Sequence, residues 1–201
     1  MDIKTSNGMT KTILTHSGSF QADDIFAVAI LILVVGKSEV VRTRDKGPIA
    51  TADYVVDVGM IYDPRKFRFD HHQPGGAGQR PNGIPYASCG LVWKEFGEGL
   101  SGGKEAADLI DTNLIQPLDA HDNGVAIADY RFKNVRMYSI VDFFYSFLPS
   151  LHESEEELYR IFMQLVTVAK DLLVREIDKT KNVIEGEAKV REAYDKSPDK
   201  R

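Results

Sequence analysis

DYVVDVGMIYDPRKFRFDHHQ, residues Asp53 to Gln73, is the stretch on which the reading of the whole chain turns. An apolar run, Tyr54 to Val56, ends on Asp57 and a glycine-bearing turn, and a second short run, Phe67 to Phe69, ends on Asp70, His71 and His72. Read as strands, the two runs deliver acids and imidazoles to one edge of a sheet. Hard divalent cations take carboxylate oxygen and softer ones accept imidazole nitrogen, so a mixed Asp/His set at the ends of buried strands predicts a metal site. Neighbouring side chains on a strand point opposite ways. One imidazole is therefore expected to bind metal while the other faces substrate or a supporting carboxylate.

Upstream, Ile13 and Leu14 open a short strand that ends at Thr15 and His16, with a turn at SGS. Asp23 and Asp24 then stand at the start of a run reaching Val35. Its apolar residues are too continuous for periodicity to separate helix from strand, but the acidic start and Gly36 at the end predict a helix. A second strand, Glu39 to Arg44, leads through a loop at DKGP to the third, Tyr54 to Val56. Apolar, non-alternating strands in the order strand, helix, strand, strand predict an α/β fold with a mainly parallel sheet flanked by helices. Ligands of such sheets bind outside the carboxyl ends of the strands, where His16, Asp57 and the Asp70-His71-His72 run all fall.

Downstream, PGGAGQRPNGIP is expected to be a mobile loop beside the site. A helix from about Ala87 to Phe96 follows, then a glycine-rich break at Gly97 to Gly103. An amphipathic helix from Lys104 through Leu114, interrupted or kinked at Pro117, brings Asp119, His121, Asp122 and Asn123 close together. Met137 to Leu148 reads as a packed helix. Ser154 and three glutamates start a last helix, to about Ala193, with Leu158, Ile161, Phe162, Leu165, Val168, Leu172 and Leu173 at helical spacing. Its length and charged far end suggest that it projects or pairs, and the stripe permits a homodimer through this helix. The chain thus divides into an α/β domain over residues 1–150 and a helical extension over residues 151–201 with a disordered DKSPDKR tail.

The 201 residues are 43% hydrophobic, with 25 Lys+Arg against 30 Asp+Glu. This mild acidity provides no general field for polyanions, so any nucleic-acid contact has to be local, or helped by bound cations that reverse the local sign. The single Cys89 excludes an internal disulfide and fits a reducing, cytoplasmic setting. The polar MDIKTSNGMTKT has no signal-peptide core. The longest apolar run, Ile25 to Val35, is about half of the roughly twenty residues that a membrane span needs. No Gly-x-Ser-x-Gly elbow, Walker loop or Rossmann fingerprint is present, and one cysteine cannot build a thiolate zinc site.

Each candidate has a plain alternative. Asp57 can cap a turn ahead of Gly59, Asp23 and Asp24 can serve a helix N-terminus, His16 can be a hydrogen-bonded structural histidine, and Asp122-Asn123-Gly124 can be a type I′ turn. Taken together with the triplet they favour metal, because several acids at one sheet edge repel one another without cations.

THSGSFQADD (Thr15 to Asp24), VRTRD (Val41 to Asp45), the opening stretch, SCGLVWKEFG (Ser88 to Gly97) and LDAHDNG (Leu118 to Gly124) follow in order the motifs of the MYG1 family, also known as UPF0160. The chain resembles that family, which is related to the DHH phosphoesterases and whose eukaryotic members are linked to 3′ to 5′ RNA exonuclease activity. The resemblance implies a two-metal phosphoesterase using Mn²⁺ or Mg²⁺ on RNA, oligonucleotides or nucleotides. It implies His16, Asp23, Asp24, Asp57, His71 and Asp122 as metal ligands, Asp57 being the bridge and Asp119 a supporting or alternative ligand. Asp70 would orient His71, His72 would face the substrate phosphate, and Arg42 and Arg44 would bind phosphate. Gln21 stands where the family pattern has histidine, and relatives carry a further C-terminal region expected to close over substrate. Phosphomonoester or pyrophosphate hydrolysis stays open as an alternative because the same metal pair would serve it, and these departures keep open a degenerate metal- and nucleotide-binding module without turnover.

Overall fold

Every residue from Ala22 to Leu31 is buried, so the helix they form has no solvent face and must lie at the centre of the molecule. In the computed structural model, which describes residues 10–148 and 154–197, this helix is α1 (Ala22–Val35). His152, the first nine residues and the last four lie outside the described residues. Gly36, with φ of 73°, closes α1 through its N–H to the Ile32 carbonyl at 2.9 Å.

The sheet has five strands in the order β2-β1-β3-β5-β4: β1 (Lys11–Thr15), β2 (Ser38–Arg42), β3 (Tyr54–Val56), β4 (Tyr62–Asp63) and β5 (Arg68–Phe69). All pairings are parallel except β4 with β5, an antiparallel edge that the sequence reading did not foresee. The chain leaves β1 for β2 on one side and returns to β3 on the other, creating a crevice at the carboxyl ends of β1 and β3. One face of the sheet carries α1, which also touches α3 (Ser88–Ser101), α5 (Gln116–Asp122), α6 (Ile140–Tyr145) and α7 (Glu155–Lys196). The other face is covered more thinly, by a small cluster of Leu14, Ala52, Val55 and Val58 with Val41 and Ile49.

Several local expectations are corrected. DKGP is not simply a loop: α2 (Lys46–Thr51) begins within it, with Pro48 in the first turn, where a missing N–H costs no helical hydrogen bond. Nor does α3 break at Gly97. A Cβ there would lie 2.6 Å from the Trp93 ring, so the glycine makes room for that indole, and the helix ends at Gly102, with φ of 81°. From α4 (Lys104–Ile110) the chain continues through a π-helical turn, Asp111–Ile115, into α5, whose first turn accommodates Pro117. Only Ile140–Tyr145 of the expected Met137 to Leu148 helix forms, and Met137 and Tyr138 are about two-thirds exposed.

The long helix α7 neither simply projects nor stands apart. Leu158 is buried, Phe162, Leu165, Val166, Ala169, Leu173 and Ile177 are buried in the same core as α1, and beyond Ile177 no described residue of the helix is buried. It continues to Lys196, through the first two residues of the expected tail. Phe162 anchors it, fully buried with its ring 6.0 Å from that of Phe20. Phe162→Ala is expected to cost about 3–5 kcal/mol in urea unfolding, whereas Val190→Ala, at an exposed position of the same helix, should stay within about 0.5 kcal/mol. Equal midpoints for the two variants would contradict the docking of α7.

Candidate metal centre

Three parallel strands end level with one another, and the next residue of each is polar. β1 is followed by His16, β3 by Asp57 and β5 by Asp70, with Leu14 paired to Val55 and Val56 to Phe69. Asp57 leaves its strand with φ of 54°, a left-handed turn that aspartate tolerates better than most residues. Its carboxylate is the hub of the cluster. Oδ2 lies 3.2 Å from His16 Nε2, while Oδ1 lies 3.5 Å from His71 Nε2 and 3.4 Å from His72 Nδ1 and accepts from Ser88 Oγ at 3.1 Å. Asp24 Oδ2 reaches His16 Nε2 at 3.4 Å, and Asp122 Oδ2 reaches His71 Nε2 at 3.1 Å.

The two histidines do not diverge. The strand has already ended at Phe69, so strand alternation no longer applies, and the rings lie 4.4 Å apart, both beside Asp57. Asp70 orients His72 rather than His71: its Oδ1 accepts from the His72 backbone N–H at 3.0 Å and lies 2.8 Å from His72 Nδ1. Its Oδ2 accepts from Met60 N–H at 2.6 Å, tying the turn after β3 to the triplet.

The helix-capping alternatives for Asp23 and Asp24 hold alongside the site geometry. Asp23 accepts from the backbone N–H groups of Cys89 at 2.7 Å and Ser88 at 3.1 Å, and so seats the first turn of α3. Asp24 Oδ1 accepts from Gln21 N–H at 2.7 Å while its buried Oδ2 has no hydrogen-bond partner. Asp122, the last residue of α5, sits in a helix C-terminus with Asn123 and Gly124, not in a hairpin turn. His121 is exposed.

Asp119 stands behind the cluster. It accepts from Arg80 Nη1 at 2.6 Å and from Gly90 N–H at 3.0 Å, an approach so close that a Cβ on Gly90 would lie 1.8 Å from its oxygen. Arg80 also grips Asp111 through Nε at 2.9 Å and Nη2 at 2.6 Å and is 4% exposed. The glycine-rich stretch after Gln73 is therefore tied to the body of the protein through Arg80. Arg80 and Ser88 were missed in the sequence: the only signal for Arg80 was a lone cation among glycines and prolines, and Ser88 looked like an ordinary helix start.

A cleft of about 1060 Å³ opens beside His16, Asp57, Asp70 and His72. Ile49, Val58, Met60 and Ile61 give it apolar walls, and Arg44 and Lys46 a cationic edge. Arg42 does not line it. That side chain turns inward, donating to the Gly18 carbonyl at 2.7 Å with its guanidinium 4.5 Å from the Phe162 ring centre.

The charges balance poorly without cations. Burial, reinforced by Asp57 and Asp122, pushes Asp23 well above the ordinary carboxylate range, and burial lifts Asp24 to about 7. Burial opposes the charging of His71, but Asp122 and Asp57 outweigh it and raise the imidazole to about 11. Burial would also raise Asp57, yet the imidazoles of His16 and His71 hold it below its ordinary value. His71 Nε2, like Asp24 Oδ2, is buried without a properly aligned hydrogen bond despite its carboxylate neighbours. Two triads, Asp57/His71/His72 and Asp23/His71/Asp122, bring one ligand atom per residue within 4.8 Å of each other. Mixed oxygen and nitrogen donors at this spacing fit a divalent cation.

These shifts fix a pH dependence. Asp24 and Asp119, both raised from 3.8 to about 7, support the folded state most below 3.8 and less as pH climbs to about 7. The contribution of His71 is complete below 6.5 and lost toward about 11. Asp57 and Asp70, both held low, have given their full contribution once pH exceeds the ordinary carboxylate range. In EDTA the protein is therefore expected to melt at a lower temperature at about pH 8 than at about pH 6. Excess Mn²⁺ should raise the melting temperature most at the higher pH, where ligands need not shed protons. A metal-free melting temperature that climbs over this interval would contradict the assignment.

A family model matches residues 12–201. Among curated proteins, the chain is 38% identical over 129 residues to the MYG1 protein of Dictyostelium discoideum, covering 57% of this chain and 39% of that protein. It is 36% identical over 136 residues to the MYG1 exonuclease of Homo sapiens (56% and 35% covered), and 35% identical over 116 residues to the MYG1 protein of Chlamydia muridarum (57% and 38%). The chain thus spans roughly two-fifths of the length of these relatives. No solved structure matches it. With the family model covering nearly all of its length and the motif residues gathered around Asp57, the chain belongs to MYG1_exonuc, the uncharacterised protein family UPF0160.

Proposed function

We propose that the cluster is the active site of a metal-dependent phosphodiesterase acting as a 3′ to 5′ exonuclease on RNA or short oligonucleotides. The observation that carries this reading is the position of Asp57, whose Oδ2 lies beside His16 and whose Oδ1 lies beside His71 and His72. An imidazole nitrogen has one lone pair and serves one cation. A carboxylate can serve two, so Asp57 is the residue able to join a His16/Asp24 side to an Asp23/His71/Asp122 side. The name of the human relative, MYG1 exonuclease, supports a nuclease over other phosphoesterases.

Two divalent cations, Mn²⁺ or Mg²⁺, would supply an ionised water at neutral pH and offset phosphate charge. The chain's own residues do the rest. His72 is half-exposed at the cleft, and Asp70 at its Nδ1 leaves Nε2 free to hold a proton for the leaving oxygen. The Asp70 hydrogen bond raises the affinity of His72 for that proton. Arg44 at the cleft edge is the phosphate-binding cation, while Arg42 shapes the Gly18 turn beneath it. In this reading residues 1–150 carry the chemistry and the helix after them buttresses α1.

Mn²⁺-stimulated release of mononucleotides from the 3′ end of an end-labelled RNA is expected. Asp57→Asn should abolish it, and His72→Gln should lower it by about 10²–10⁴-fold with the melting temperature in EDTA little changed. An RNA left intact with Mn²⁺ or Mg²⁺ in excess would sink the proposal, and release of inorganic phosphate from small monoesters alone would reassign the site to phosphomonoester hydrolysis.

A further inference from the structure

Between α5 and α6 the chain exposes a run that no core residue covers. Tyr130, Phe132 and Tyr138 are 56%, 67% and 66% exposed, and Arg131, Lys133 and Arg136 alternate with them. From residue 130 to residue 138 there is no acid, in a chain whose formal net charge is −5. A connection of this length without regular structure is uncommon unless it has a function.

Its first end is held beside the metal centre, and its second is fixed to α6. It leaves α5 directly after Asp122, with Val125 N–H bonded to the Ala120 carbonyl at 2.7 Å. It returns at Ser139, where the side chains of Ser139 and Asp142 cap α6 and Arg136 pairs with Asp142 at 2.8 Å. In turn α6 is pinned by Phe144, whose ring lies 5.4 Å from that of Phe26, and by Tyr145, 5.5 Å from the ring of His121.

Resting on the nuclease reading above, we infer that this strap, residues 125–139, is a single-stranded nucleic-acid contact that holds the substrate strand next to Asp122. Alternating aromatic and cationic side chains match a single strand in both of its parts: unpaired bases offer π-faces for stacking, and the backbone offers regularly spaced negative charge. A protein partner fits less well, since covering the aromatics would also desolvate Arg131 and Lys133, for which no carboxylate lies in ion-pairing reach among the described residues. With Arg131, Lys133 and Arg136 against Asp129, the strap has a local cationic excess in a chain of net negative charge.

The test uses the full chain and a fluorescent, cleavage-resistant phosphorothioate oligouridylate of about 12 nucleotides, titrated in Mg²⁺ at several salt concentrations. Arg131→Gln with Lys133→Gln should lower the slope of log affinity against log salt by about 1.4, the value for losing two phosphate contacts on a single strand. Phe132→Ser should weaken binding roughly 5- to 150-fold, the loss of one base stack, with melting temperatures near the parent's because these side chains contact no core. Affinity and salt slope equal to the parent's in both variants would overturn the inference. So would a change of oligomeric state in Phe132→Ser by light scattering with nucleic-acid binding intact, which would make the strap a protein contact. A parent protein that hydrolyses a small chromogenic diester but does not bind the oligouridylate would overturn it while leaving the phosphodiesterase reading in place.

Discussion

Crowded negative charge is the constraint on which the rest of the structure depends. Asp23, Asp24, Asp57, Asp70 and Asp122 converge on one strand-end crevice, and all but Asp122 are almost wholly buried. Buried carboxylates persist only with protons, partners or cations. Here the partners are shared out unevenly. Asp70 and Asp24 spend oxygens on backbone N–H groups, Asp23 caps α3, and Asp57 is surrounded by three imidazoles and a serine hydroxyl. What is left over, Asp24 Oδ2 and His71 Nε2, lies in the region where cations would complete the balance.

The same carboxylates assemble the fold. Asp23 fastens the start of α3 to the start of α1, and Asp119 fastens Gly90 in α3 to α5 and, through Arg80, to the stretch that follows the triplet. Site and scaffold are therefore not separable: a change at Asp23 disturbs both a candidate ligand and a helix cap. Asp57, whose carboxylate meets the side chains of His16, His71, His72 and Ser88, reports more cleanly on function.

On the proposed reading, the cleft and the strap would divide recognition between them. The cleft beside Asp57 is partly apolar with Arg44 and Lys46 at its edge, and the strap that begins after Asp122 carries exposed aromatics and cations. On the same reading, such an arrangement would let an acidic chain handle a polyanion without a general positive surface.

Much was legible in the sequence because it depends on near neighbours. Apolar runs ending in acids and histidines identified β1, β3 and β5 and the residues just beyond them, since strand and helix starts are local chemistry; the acidic start and glycine stop did the same for α1. Long-range contact decided the rest. Whether Asp70 served His71 or His72 depended on where β5 stopped. Nothing near Arg80 in sequence announced Asp111 and Asp119, 31 and 39 residues away, as its partners. Helix α7 has the composition of a free helix, yet half of it is core because α1 exposes an apolar face that only the folded sheet orients. The reverse holds for Met137 and Tyr138, apolar and aromatic enough to be read as the start of a packed helix but left largely in solvent. Residue types and their order determined which chemistry this chain offers, and burial, which depends on everything at once, decided which of those groups meet.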